Sequence, residues 1–229
     1  MGEAKRYVLF MGRIYDATWG RLFAATYDRG LKATEEAGLG WMRAELLAGA
    51  GGRTIELGAG TGANLDLYPD AVGELVLVEP DPHMAKRLRE RLSRAPRAAT
   101  IVEAPAESLP FENASFDTAV STLVLCTVPD PAAAIAELER VLKPGGRLLF
   151  IEHVRAEDPA LAGWQDRLEK PWRFLGDGCH CNRNTLATLA ASRLQLGALE
   201  HDRLPKAPPI VRPLVRGSAV LPTEPSGQA

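Results

Sequence analysis

The sequence predicts a doubly wound α/β domain, a mostly parallel sheet wrapped by helices, with a helical cap at its N-terminus. Three observations carry that reading. Between residues 53 and 152, short β-branched runs alternate with helical patterns, as a parallel sheet requires when each crossover is a helix. Two of those helices open with the same Asp-Pro pair. A glycine-rich turn follows the first strand, and an acid closes the second.

In chain order, strands are expected at 53–57, 74–79, 99–103, 116–122 and 147–152. Asp81-Pro82 is an N-cap with proline at the first helical position, followed by Met84, Leu88 and Leu92 at helical spacing. Asp130-Pro131 repeats it, with Ile135, Leu138, Val141 and Leu142 on one face and Pro144-Gly145-Gly146 as the stop. Residues 1–50 read as helical, broken at Gly38 and Gly40, and hold half of the aromatic residues. The stretch 155–181 reads as irregular, 185–196 as a helix capped by Asn184, and 210–220 as an edge strand. Pro222 onward reads as disordered. The expected organisation is one domain: cap 1–50, core 51–154, substrate-side segment and helix 155–204, last strand and proline-rich tail 205–229.

Composition narrows the function classes. A chain of 229 residues with 46% hydrophobic residues buries a core without staples. A net charge of −2 argues against bulk binding of nucleic acid or anionic lipid, and the six basic residues within 86–97 read as a solvated helix face. Three cysteines point to reduced thiols rather than a disulfide scaffold. There is no stretch of 18 apolar residues, and the run 8–11 is too short for a signal peptide. A cytoplasmic protein acting on a small molecule, without membrane or nucleic-acid partner, is the expectation; the sequence leaves its oligomeric state open.

The chemistry sits in Thr54-Ile-Glu-Leu-Gly-Ala-Gly-Thr-Gly-Ala-Asn64. Gly58, Gly60 and Gly62 let the backbone approach a ligand closely. Glu79 ends the second strand 21 residues after Gly58, where a carboxylate accepts hydrogen bonds from ribose hydroxyls. A dinucleotide fingerprint would need G-x-G-x-x-G facing a pyrophosphate. The pattern here is E-x-G-x-G-x-G, with Asp66 close behind it to repel phosphate. A nucleoside with an amino-acid tail fits better, which disfavours a nicotinamide oxidoreductase.

Residues 53–154 resemble a class I S-adenosylmethionine-dependent methyltransferase, a family whose sheet has seven strands. The resemblance places the methionine part of S-adenosylmethionine on Glu56, Gly58, Gly60 and Gly62 and its ribose on Glu79. It places Pro80 and Met84 beside the adenine, with Ala106 and Glu107 of Ala106-Glu-Ser-Leu-Pro-Phe111 at the adenine edge. Ser115-Phe116-Asp117 and the turn Leu142-Lys-Pro-Gly-Gly146 match the family's next motifs. Thr122-Leu-Val-Leu-Cys-Thr-Val-Pro129, Phe150-Ile-Glu-His-Val154 and Trp172-Arg-Phe-Leu-Gly-Asp-Gly-Cys179 look like the branch with animal thiol S-methyltransferases, and also resemble quinone-biosynthesis C-methyltransferases.

The resemblance implies in-line methyl transfer to a small, partly apolar molecule, on oxygen, nitrogen, carbon or sulfur, beyond the ends of strands four and five. That puts Thr122 on the cofactor side and Leu123 and Leu125 against the acceptor, with Tyr15 and Trp19 of the cap as its lid. His153 is the candidate base, competing with a structural role; Tyr27 reads as core packing. Cys179-His180-Cys181 lacks metal-ligand spacing, so no metal is expected, and Cys126 reads as a small buried hydrophobe. A non-catalytic S-adenosylmethionine-binding partner protein is the alternative.

Overall fold

The computed structural model describes residues 20–223. Seven strands form one sheet in the order β3-β2-β1-β4-β5-β7-β6. They are β1 Gly52–Leu57, β2 Val72–Val78, β3 Thr100–Val102, β4 Phe116–Thr122, β5 Leu142–His153, β6 Gln195–Arg203 and β7 Pro213–Val220. The first five are parallel neighbours, while β7 runs antiparallel to both β5 and β6. The order reverses between β1 and β4, and in open sheets a ligand crevice forms at the carboxyl ends of such strands.

Thr54 to Leu57 of β1 and Phe116, Thr118 and the rest of β4 are buried on both faces, as expected where helices cover a parallel sheet. One cluster packs Ile55, Leu57, Phe116 and Phe150 against Ile135 and Leu138 of α4 (Pro131–Val141). On the opposite face, Leu75, Leu77, Val120 and Leu149 meet Leu47. A third cluster joins Leu39 and Met42 of the cap to Ile151, Cys181 and Leu204.

Helix α1 (Arg21–Thr34) and α2 (Gly40–Leu47) are joined by a π-helical turn, Glu35–Leu39. The break falls at Gly38, whose φ of 148° few other residues adopt, while Gly40 stays helical. Helix α3 (Pro82–Leu92) and α4 start as expected: Asp81 accepts from the His83 and Met84 amides at 2.8 Å, and Asp130 from Ala132 and Ala133 at 3.0 Å.

The C-terminal third departs from the sequence expectation. The segment read as irregular holds α5 (Pro159–Leu175), opened by a third Asp-Pro cap at Asp158 and continuous through Pro171. The helix expected over 185–196 stops at Ala190 (α6, Thr185–Ala190), and β6 follows. The chain expected as an edge strand, β7, lies between β5 and β6; β6 is the edge. The polar run Glu200-His-Asp-Arg203 of β6 carries no alternation because an edge strand this exposed buries neither face well. Among the described residues no helix is long and apolar enough to cross a membrane.

Candidate active site

Past β1 the chain turns through Gly58, Gly60 and Gly62 at φ 54°, 57° and 86°. A Cβ on Gly58 would lie 2.6 Å from Val124, and one on Gly62 2.8 Å from Leu88. Positive φ and close neighbours together favour glycine at those two positions. Gly60 differs: a Cβ there would meet nothing closer than 3.9 Å, so its bareness leaves room at the crevice. The Gly60 amide donates to Glu79 Oε2 at 2.8 Å, and the Asp81 amide to Oε1 at 2.9 Å. Burial pushes the Glu79 carboxyl up to about 7, against the pull of these two amides. An open glycine cradle facing a buried carboxylate with spare lone pairs fits the ribose and amino-acid tail of S-adenosylmethionine.

The adenine-side candidates gather at the same corner with different exposures. Pro80 is exposed, Met84 and Ala106 are buried, and Glu107 Oε1 accepts from the Asp130 amide at 3.1 Å. The Glu107 carboxylate thus also braces the start of α4.

Behind the glycine turn lies a buried polar network. Glu56 is 2% exposed; it accepts from Asn64 Nδ2 at 2.8 Å and from the Tyr68 hydroxyl at 2.7 Å. Arg43, from α2, donates to Asn64 Oδ1 at 3.0 Å, Thr122 Oγ1 at 2.8 Å and Glu35 Oε1 at 3.1 Å. Asn64 Nδ2 also reaches Thr122 Oγ1 at 3.0 Å. Both Glu56 oxygens are engaged by protein donors, so this acid stiffens the turn from behind. The cap thereby reaches the end of β4 through one guanidinium. Asn64 ends the motif legible in the sequence; Arg43 and Tyr68 carry no local signal.

Glu152 organises the other side. Fully buried on β5, it accepts from Ser121 Oγ at 2.7 Å and from the amides of Val124, Leu125 and Cys126 at 3.1, 3.0 and 3.2 Å. These bonds hold the chain after β4 in a tight turn, in which Leu123 adopts φ 63°. A left-handed leucine is costly and persists only where its surroundings fix it. The sequence offers Glu152 only as part of a resembling phrase, without a role.

Leu123 is partly exposed at the strand end, whereas Leu125 is fully buried in the α4-side core, so the core takes its side chain. His153 is 7% exposed, on the same side of β5 as Ile151. Its Nδ1 has no partner, and burial lowers its pKa to about 4, against a smaller opposing influence of the Val211 backbone. Tyr15 and Trp19 lie outside the described residues. Tyr27, read from the sequence as packing, is half-buried beside Phe23, with its hydroxyl within electrostatic reach of Arg43, Glu35, Cys126 and Glu79. Burial pushes that hydroxyl up to about 12. Next to it, Thr61 of the glycine turn donates to Asp28 of α1. The cap thus lies directly over the crevice.

Comparison with known proteins agrees with this geometry. A family model described as "Methyltransferase domain" matches residues 55–150. The chain is 37% identical over 184 residues to thiol S-methyltransferase TMT1B of Homo sapiens, covering 76% of this chain and 73% of that protein. It is 34% identical over 138 residues to ubiquinone/menaquinone biosynthesis C-methyltransferase UbiE of Brucella anthropi, covering 59% and 48%. The structure of N-methyltransferase NodS from Bradyrhizobium japonicum, in complex with S-adenosyl-l-homocysteine, superposes with a TM-score of 0.57 at 17% identity, over 79% of this chain and 83% of that one.

Proposed function

The chain belongs to the class I S-adenosylmethionine-dependent methyltransferases, and on that footing we propose that it methylates a small, partly apolar thiol. Bound S-adenosylmethionine supplies an electrophilic sulfonium methyl. What the acceptor requires of the protein depends on its acidity. An alcohol or carbon acid needs a base with a pKa near neutrality, whereas a thiol, ordinarily near 8.5, is already partly ionised at neutral pH.

The observation that carries the proposal is the state of His153. It is buried, and a pKa of about 4 makes it a weak base. An acceptor that ionises unaided suits such a site, and the identity to a thiol S-methyltransferase supports the same class. Leu123 and the cap offer the apolar contact, with the Tyr27 hydroxyl as the polar one.

In this reading the protein contributes positioning. Gly58 to Gly62 and Glu79 hold the cofactor at tail and ribose, with Met84 and Ala106 against the adenine. Glu152 fixes the turn carrying Leu123, and Arg43 ties that turn to the glycine turn through Thr122 and Asn64. Holding two reactants in line supplies roughly 7–11 kcal/mol of barrier reduction.

The purified chain, given S-adenosylmethionine with matched apolar thiols, phenols, amines and quinols, is expected to form the methyl thioether fastest, read by mass spectrometry. A faster methylated quinol would replace this reading with the C-methylation that UbiE's name describes.

A further inference from the structure

Cys126 and Cys179 bring two sulfurs together in a place the methyl-transfer chemistry leaves unused. Cys126 closes the Glu152-held turn after β4, and Cys179 lies in the loop after α5. Their Sγ atoms are 3.8 Å apart. The two loops are already fastened around them. The His180 amide donates to the Cys126 carbonyl at 2.8 Å, and Arg183 donates to the carbonyls of Leu125 and Val128 at 2.8 and 2.7 Å. Gly178, at φ 92°, leaves just enough space for Thr127, which a Cβ there would approach to 3.2 Å. The third thiol, Cys181, is fully buried elsewhere, its sulfur on the Gln165 carbonyl at 3.6 Å.

We propose that Cys126 and Cys179 form a reversible disulfide that fastens the acceptor-side turn to the loop after α5. A disulfide is about 2.05 Å long, so the sulfurs need to close by roughly 1.8 Å, a distance that side-chain rotation and small loop shifts share. The two thiols differ in readiness. Cys179 is held below its ordinary pKa by its hydrogen bond with Cys126. Cys126 is held well above, by that same bond and by burial. Cys179 is also the more exposed of the two, at 8% against 1%.

With hydrogen peroxide as oxidant, the Cys179 thiolate attacks one peroxide oxygen. The O–O bond breaks, leaving a sulfenic acid and hydroxide, which takes up the proton that Cys179 shed and becomes water. The Cys126 sulfur then attacks the sulfenic sulfur; the S–S bond forms, and the S–O bond breaks as a second water leaves with the Cys126 proton. Two thiols lose two electrons in all, and one peroxide becomes two waters.

The test uses the full chain, reduced and then exposed to hydrogen peroxide. Loss of two of its three thiols is expected, together with a mass decrease of about 2 Da and a cross-linked peptide pair holding residues 126 and 179, all reversed by dithiothreitol. Cys181→Ser should behave identically. Cys126→Ser should leave a sulfenic acid on Cys179 that dimedone traps. Amide exchange across 122–128 should slow by about threefold in the oxidised chain. Linkage through Cys181, irreversible oxidation of Cys179 with Cys126 still free, or unchanged exchange after linkage would each overturn the proposal. None of these readouts depends on methyl transfer, so the thiol-acceptor reading stands or falls separately.

Discussion

The cofactor half of the crevice is shaped by backbone within a short stretch of chain. Gly58 to Gly62 and the Gly60 and Asp81 amides on Glu79 span residues 58–81. On the proposed function, the acceptor half is assembled from distant side chains: Tyr27 and Arg43 from the cap, Leu123 from the end of β4 and Glu152 from β5. Local geometry suffices to hold a ligand whose shape never changes. The side proposed for the acceptor rests instead on long-range polar anchors, Arg43 and Glu152, each serving several buried groups at once.

The largest expected effect strikes the bridge between the halves. Arg43→Met removes three hydrogen bonds from a guanidinium only 4% exposed. It leaves the Asn64 oxygen without its donor, Thr122 Oγ1 with Asn64 Nδ2 alone and the buried Glu56 without its nearby cation, so urea unfolding should show a loss of about 3 kcal/mol. Glu79→Ala acts on the cofactor half alone. Calorimetry should show S-adenosylhomocysteine binding weakened about 100-fold, near 2.7 kcal/mol, with unfolding little changed.

This division also explains what the sequence made legible. The parallel strands, two helix caps, the glycine turn and Glu79 are encoded by residues close in the chain, so spacing alone reveals them. Arg43 and Tyr27 look like ordinary members of an amphipathic helix, because their partners are decided by how the cap docks. Glu152 sits within a recognisable phrase, yet the Val124 to Cys126 amides it serves become visible only when β4 and β5 are paired. Helix α5 was masked by Pro171 and its tryptophans despite a cap of the same kind as the other two.

Glu79 and His153 also titrate differently. Glu79 is raised to about 7 in the free protein, and ribose donors favour its ionised form. Binding therefore releases a proton below that pH, and affinity for S-adenosylhomocysteine should fall by up to tenfold per unit as pH drops below 7. Heats of binding in buffers of different ionisation enthalpy check the proton release. The pKa of His153 is shifted in the opposite direction, and it acts on stability rather than on cofactor affinity. With a folded pKa of about 4, below its ordinary 6.5, its stabilising contribution is complete above 6.5. That contribution is lost as pH falls toward 4, by up to about 3 kcal/mol. His153→Gln should remove that part of the acid dependence of unfolding.

Smaller effects are expected for acceptor turnover. Tyr27→Phe should lower kcat/KM for the acceptor by roughly threefold to tenfold, the size of one hydrogen bond, with cofactor affinity unchanged. His153→Gln should leave kcat within about threefold, whereas loss of a general base would cost about 10²–10⁴.

On the proposed function, the protein positions an acceptor which ionises by itself. The most direct test of this is kcat/KM against pH at saturating S-adenosylmethionine, for a series of small apolar thiols of graded acidity. The rising limb should shift with each thiol's own pKa. A limb fixed at one pH for every acceptor would reveal a protein base and contradict the account.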